Sequence, residues 1–348
     1  MTLRSVLASV IACAAVGLCL TSAPAQLASS SIPTDTRRAS ADNAVESVLA
    51  ISIDGLNPEA LRILGPEGTP HLHAFMASGA STLNARTERE LTITLPNHTG
   101  MVTGRRVEAG TGGHGVTWND DRRRPATVQA AAGKRVESVF TAISAAGGST
   151  ALFASKTKFS LWKRSWPLAI DKTRIQLDNA RLARSVRRDL RDHDREFRFV
   201  HFSLPDSVGH TKGFMSKPYL RSVKQVDALL GGIVAAVESD PGLDAGTAMI
   251  VTSDHGGLGD SHSDARRFAN YRIVFMVAGP GVAVGADLYA LNPDDRRDPG
   301  TRRTSYRQSR QPVRNGEIAN LTLDLLDLDP VPGSEHNSGL DLDVSPPN

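Results

Sequence analysis

Apolar runs that do not alternate with polar residues set the first limit on this chain. The stretches 48–53, 150–153, 197–204, 248–252 and 273–278 place apolar side chains at both odd and even positions. Successive side chains of a strand point to opposite faces, so such runs must be covered on both sides. Between them lie helical patterns at 58–64, 70–78, 136–146, 179–191, 218–238 and 317–326. Pro58 and Pro70 suit the first turn of the helices they open. The alternation predicts one α/β domain with a doubly wound, mostly parallel central sheet and helices on both faces. The polar, arginine-rich stretch 292–311 has no clear element and is expected to form surface or a lid.

The ends read differently. Met1-Thr2-Leu3-Arg4 precedes an apolar run over 6–20, and Ala23-Pro24-Ala25 follows as a cleavage-type site. Residues 1–25 are therefore expected to be a cleaved signal peptide, making the protein secreted or extracytoplasmic. Residues 26–45 read as a flexible lead-in, 46–330 as the catalytic domain and 331–348 as a polar C-terminal tail. Both cysteines, Cys13 and Cys19, fall in the removed segment, so the mature chain is expected to have no disulfide or thiolate chemistry. No other stretch is long enough to span a bilayer. The formal net charge of +3 is too small to argue for a nucleic-acid partner. In the arginine-rich stretch 181–191, Leu182, Val186 and Leu190 recur every four residues, the mark of a surface helix with a solvated basic face.

Three strands run into loops that carry chemistry: Asp54-Gly55 after the first, Asp206 and His210 after the third, Asp254-His255 after the fourth. In open parallel sheets ligands gather at the carboxyl ends of strands, so these loops should meet along one edge. A single such Asp is more often a turn residue, and a single His a satisfied polar group. Together they suit two zinc-like ions, which accept nitrogen and oxygen donors. Asp54, Asp254 and His255 with the Thr94 oxygen would fill one site; Asp206 and His210, four apart on a helix, would begin a second. Thr94 precedes Pro96-Asn97-His98 where strand gives way to helix. Metal coordination and a helix N-terminus would both favour its alkoxide as a nucleophile.

The segments T-L-P-N-H-T-G-M-V-T-G from Thr94, H-G-V-T-W-N from His114, P-D-S-V-G-H from Pro205, S-D-H-G-G from Ser253 and the later G-P-G from Gly279 resemble the alkaline phosphatase superfamily. The branch they are most similar to is that of the type I phosphodiesterases and nucleotide pyrophosphatases. The resemblance covers about Val48 to Leu326. It implies two zinc ions, a phospho-threonine intermediate on Thr94 and a hydrogen bond from Asn119 to a phosphoryl oxygen. The implied substrate is a small phosphodiester, pyrophosphate or nucleotide. His98 is expected to brace the nucleophile helix. The third ligand of the second ion lies between His262 and His336; chain order in similar members favours His262. No C-x-P-x-R or S-x-P-x-R stretch marks a sulfatase, and the span from Thr94 to Asp206 is too short for a mutase's inserted domain.

Leu95 stands where many nucleotide pyrophosphatases carry an aromatic residue, and no inserted cap for a nucleotide base is visible. A phosphomonoesterase of the same mechanism therefore stays as the alternative, although no group that would offset a dianion's second charge stands out by spacing. A metal-containing but inactive phosphate-binding protein is a third reading, separated from the others by Thr94 substitution.

Overall fold

The computed structural model describes residues 45–347; the expected signal peptide, nearly all of the lead-in and the last residue lie outside the described residues. Eight strands form one sheet: β1 (Ser47–Ile53), β2 (Ala80–Arg86), β3 (Thr150–Ala154), β4 (Lys172–Ile175), β5 (Phe197–Phe202), β6 (Thr247–Thr252), β7 (Arg272–Ala278) and β8 (Ala286–Asp287), in the order β4-β3-β5-β1-β6-β7-β2-β8. Neighbours are parallel except β7, which runs opposite to both β6 and β2. Alternate residues of β1 enter two separate cores. Val48 and Ala50 pack on one face, Leu49, Ile51 and Ile53 on the other. This two-sided cover explains the absence of polar alternation in the central strands.

Four adjacent strands, β3, β5, β1 and β6, point their carboxyl ends to the same edge. β1, β3 and β5 are each followed by a short connection and β6 by the longer stretch 253–267, and the residues just beyond the four strands lie close together. After β5, Leu204–Lys212 forms a helix with Pro in its first turn. The expected strand therefore ends two residues early, at Phe202 rather than at 204. After β1, Gly55 turns at φ +72, and a Cβ there would stand 3.1 Å from the Cα of Asp206. Glycine is required by both the left-handed backbone and the close approach.

Strands β2, β4 and β8 were not legible as apolar runs, because they lie toward the edges and mix buried with partly exposed positions. The basic helix Asn179–Asp192 buries Leu182, Val186 and Leu190, as its periodicity predicts. The expected polar tail is a correction. Val331, Leu342 and Val344 are buried in the core, and Glu335 and His336 both donate their N–H to the Gly104 carbonyl. A few well-spaced apolar residues dock this segment, so it belongs to the domain. The stretch 292–311 is tied down as well. Buried Arg296 pairs with Glu317 at 3.1 Å and with Asp341 at 2.7 Å, and Tyr306 bonds both Glu88 and Glu90 at 2.7 Å. Among the described residues no helix is long and apolar enough to cross a membrane.

Candidate active site

Thr94 is the first residue of the helix Thr94–Thr103, every residue of which is buried. Its position at the N-terminus aims the helix's unpaired N–H groups at whatever the hydroxyl meets. The helix is clamped from behind. His98 donates Nδ1–H to the Thr94 carbonyl at 2.8 Å, which leaves Nε2 to accept from the Ser52 hydroxyl at 2.8 Å. Asn97 bonds the amide of Glu88 and the carbonyls of Leu91 and Ile93.

Three imidazoles beside Thr94 share one tautomeric logic. His255 sets Nδ1 on the Gly256 carbonyl at 2.9 Å, His262 on the Thr92 carbonyl at 2.6 Å and His210 on the Asp260 carbonyl at 3.3 Å. A carbonyl only accepts, so each Nδ1 carries the proton and each Nε2 presents a lone pair. Those lone pairs face other acceptors. His210 Nε2 lies 2.9 Å from His262 Nε2. His262 and His210 Nε2 each lie 3.4 Å from Asp206 Oδ1, and His255 Nε2 lies 3.1 Å from Asp254 Oδ2 and 3.4 Å from Asp54 Oδ1.

Buried acceptors this close repel unless a cation lies among them. Asp54 Oδ1, Asp206 Oδ1, Asp254 Oδ2 and His255 Nε2 are all buried without a hydrogen-bond partner. Their companion oxygens are satisfied: Asp254 Oδ1 accepts from the amides of Gly55 and His255, and Asp54 Oδ2 from His201. One oxygen of each carboxylate is thus anchored and the other presented. Two sets, Asp206–His210–His262 and Asp54–Asp206–His255, bring donor atoms within 4.8 Å of one another and could each hold a metal ion. The donor chemistry, carboxylate oxygen with neutral imidazole, fits divalent zinc.

The structure therefore gathers Asp54, Thr94, Asp206, His210, Asp254, His255 and His262 at one edge. His336 stands elsewhere, buried against Glu88 at 2.9 Å, which separates it from its competitor His262. Asn119 reaches the nucleophile helix from the side: its Oδ1 accepts the Leu95 N–H at 3.0 Å and Lys158 Nζ at 2.9 Å. Those two donors fix the amide's orientation and leave Nδ2 as the end free for a ligand.

Sequence reasoning missed two lysines. Lys156 and Lys158 follow β3 on a short turn. Lys156 Nζ lies 2.6 Å from Asp54 Oδ2, 2.7 Å from Asp206 Oδ2 and 3.3 Å from Thr94 Oγ1. The signal was available: a lysine directly beyond a buried parallel strand stands on the edge where ligands bind. Burial works to lower the Lys156 pKa, but Asp54, Asp206 and Asp254 outweigh it and push it well up. Burial likewise works to raise the Asp54 carboxyl, and Lys156 followed by His201 holds it well below the usual carboxylate range.

Known proteins are similar to this chain in sequence and fold. The model of the type I phosphodiesterase/nucleotide pyrophosphatase family matches residues 48–270. GPI ethanolamine phosphate transferase 1 of Aspergillus oryzae is 33% identical over 135 residues, 37% of this chain and 12% of that protein. Mouse ectonucleotide pyrophosphatase/phosphodiesterase family member 1 is 26% identical over 236 residues, 64% of this chain and 25% of that one. The chain thus matches a quarter or less of the length of these relatives. Among solved structures, an inactive form of murine ectonucleotide pyrophosphatase/phosphodiesterase 5 in complex with AMP covers 86% of this chain and 100% of its own at TM-score 0.65 and 15% identity. The human counterpart gives TM-score 0.62 at 14% identity, with the same coverage. At that identity the likeness concerns the fold, an alkaline phosphatase-like α/β sheet. With nearly two thirds of its length matched by one family model, the chain belongs to the type I phosphodiesterase/nucleotide pyrophosphatase family, within the alkaline phosphatase superfamily.

Proposed function

We propose that this protein is a secreted two-metal hydrolase of phosphate esters that acts through a phospho-threonine on Thr94. The observation that carries the reading is the set of unpartnered carboxylate oxygens and imidazole lone pairs converging beside a helix-terminal threonine. Asp54, Asp254 and His255 with Thr94 would hold one zinc ion; Asp206, His210 and His262 the other. Bound there, the ions would supply Lewis-acid stabilisation of charge on the reacting oxygens. The Thr94 oxygen, having given its proton to solvent, attacks phosphorus as the leaving alkoxide departs in line and takes up a proton from solvent. Water then cleaves the phospho-threonine, releasing the phosphate product and restoring the Thr94 hydroxyl. Asn119 Nδ2 donates to a non-bridging oxygen, where charge develops in the transition state.

Family membership makes phosphodiesters, pyrophosphates and nucleotides the first substrates to test. A second reading, phosphomonoester hydrolysis, is favoured by one observation: a partly buried lysine, Lys156, beside the nucleophile. The deciding experiment assays the purified protein on bis-p-nitrophenyl phosphate and p-nitrophenyl phosphate, with zinc and after chelation. Turnover that chelation abolishes and zinc restores, and that Thr94→Ala eliminates while leaving zinc bound, supports the reading. Zinc-independent turnover, or turnover that survives Thr94→Ala, overturns it.

A further inference from the structure

We infer that the β4 edge of the sheet, with the basic helix beside it, is a docking surface for an anionic lipid bilayer. The inference goes beyond the reading of the candidate active site and does not depend on it. β4 pairs with β3 alone and so ends the sheet on one side. Charge collects there. From Lys163 to His193 the chain carries nine Lys and Arg residues against four Asp, an excess of five, whereas the whole chain has a net charge of only +3. The remainder is thus net negative, and the positive charge is local. Lys172 and Arg174 stand two apart on β4 and so extend to the same face. They share a cavity of about 180 Å³ with Ser185, Arg188 and His193, which joins strand and helix Asn179–Asp192 into one basic surface. The acids in this region are spoken for. Asp189 is held by Arg195 and Arg198, and Asp192 by Arg191. Among the described residues Lys172, Arg174, Arg184, Arg187 and Arg188 are exposed and make no direct ion pair; Asp178 and Asp192 act on Arg184 and Arg188 only from farther away.

Apolar side chains flank the same strand. Leu168 and Leu177 lie in the connections just before and just after β4 and are 91% and 61% exposed. Leu168 is held out on a braced turn. Its neighbours Trp166, Ala169 and Ile170 are buried, and Lys163 donates Nζ–H to the carbonyls of Pro167 and Ile170 at 2.8 and 2.7 Å. The Ala169 carbonyl also accepts from the Thr150 hydroxyl at 2.6 Å, so the turn is tied to β3 as well. A solvated basic face needs no partner, and a single exposed leucine is ordinary. Their combination at both ends of one edge strand is what singles out the occupant. Lipid phosphates match the cations, and the acyl boundary just beneath them takes up the leucines. A soluble polyanion would use the charges and leave both leucines in water.

The test is co-sedimentation of the full-length protein with vesicles of phosphatidylcholine alone and of phosphatidylcholine with phosphatidylglycerol in equal parts. Wild type is compared with Arg184→Gln/Arg188→Gln, with the charge-keeping Arg184→Lys/Arg188→Lys, and with Leu168→Ser/Leu177→Ser. All four positions are exposed, so the fold should be kept, and coinciding urea-unfolding curves verify this. Every variant retains the apolar run over 6–20, so differences between them read the β4 edge alone. Wild type should bind the mixed vesicles at least about tenfold more tightly than phosphatidylcholine. The glutamine pair should lose roughly 10- to 30-fold on the mixed vesicles, the lysine pair little, and the serine pair about tenfold. Failure of wild type to bind, equal binding to both vesicles, or wild-type binding by the glutamine pair would overturn the inference. So would loss in the serine pair alone, or equal losses in the lysine and glutamine pairs, because charge would then not be what is recognised. Heparin separates the remaining possibility. If the glutamine pair weakens on heparin and on vesicles alike while the serine pair binds vesicles as wild type does, the surface serves a soluble polyanion and the bilayer inference falls.

Discussion

His201 donates Nε2–H to Asp54 Oδ2 at 2.8 Å, the opposite tautomer from the three imidazoles that face the ligand space. The assignment follows from its other nitrogen, Nδ1, which receives the Ser155 N–H at 3.3 Å. Asp54 thereby has one oxygen anchored, by His201 and Lys156, and the other presented. Such outer partners orient a ligand and tune its basicity. His201→Phe is expected to weaken zinc binding by about 10- to 100-fold without touching Thr94. Competitive zinc titration against a chromophoric chelator measures this; unchanged affinity would remove His201 from the site's support.

The two competing histidines are separable in solution. His262 stacks on His255 with ring centroids 3.5 Å apart and presents Nε2 to His210 and Asp206. His262→Ala is expected to lower zinc content from two ions toward one per chain. His336→Ala should leave both ions in place and cost stability only. Atomic emission on both variants decides, and loss of zinc from the His336 variant would reverse the assignment.

How far the sequence carried is clear from these residues. Asp54, Asp206, Asp254 and His255 were legible because each follows a largely apolar run, and the parallel sheet delivers such positions to one edge. His262 could be ranked above His336 only by chain order in similar proteins; its register comes from a turn in which Leu258 pairs with Ser261. His201 was hidden inside β5, where it reads as one polar residue among strand positions. Lys156 was hidden by category, since a lysine after a strand resembles ordinary surface until its neighbours are known. Glu88 and His336 lie far apart in the chain, and nothing local announces that they pair.

Asn119 is expected to act on the chemical step. Asn119→Ala should lower kcat by about one to three orders of magnitude with zinc content unchanged. Lys158→Met should cause a smaller loss, because the Leu95 amide still holds Asn119 Oδ1. Steady-state kinetics on whichever ester turns over faster will check both. Near-normal turnover in the Asn119 variant would exclude it from phosphoryl recognition.

The buried Glu88–His336 pair predicts a pH dependence of stability that is independent of the metal ligands. Besides His336 Nε2, Glu88 Oε2 accepts from the Tyr306 hydroxyl at 2.7 Å. Burial works against both charges. Even so, Glu88 holds the His336 pKa above its ordinary 6.5, and His336 with Tyr306 and Arg314 holds the Glu88 pKa below its ordinary 4.5. A raised histidine stabilises fully below 6.5 and loses that contribution as pH climbs through its folded value; a depressed carboxylate stabilises above 4.5 and loses that contribution as pH falls through its folded value. The pair is therefore fully effective between these two ordinary values. His336→Gln should destabilise by roughly 3 kcal/mol at about pH 5.5, the scale for removing one partner of a buried ion pair. The gap to wild type should narrow as pH rises through the raised folded pKa of His336, where wild type itself loses the proton. Urea unfolding of both proteins across this range measures the gap. A gap that stays constant, or widens with pH, would mean that the two residues are joined by a neutral hydrogen bond and carry no ionic contribution to the fold.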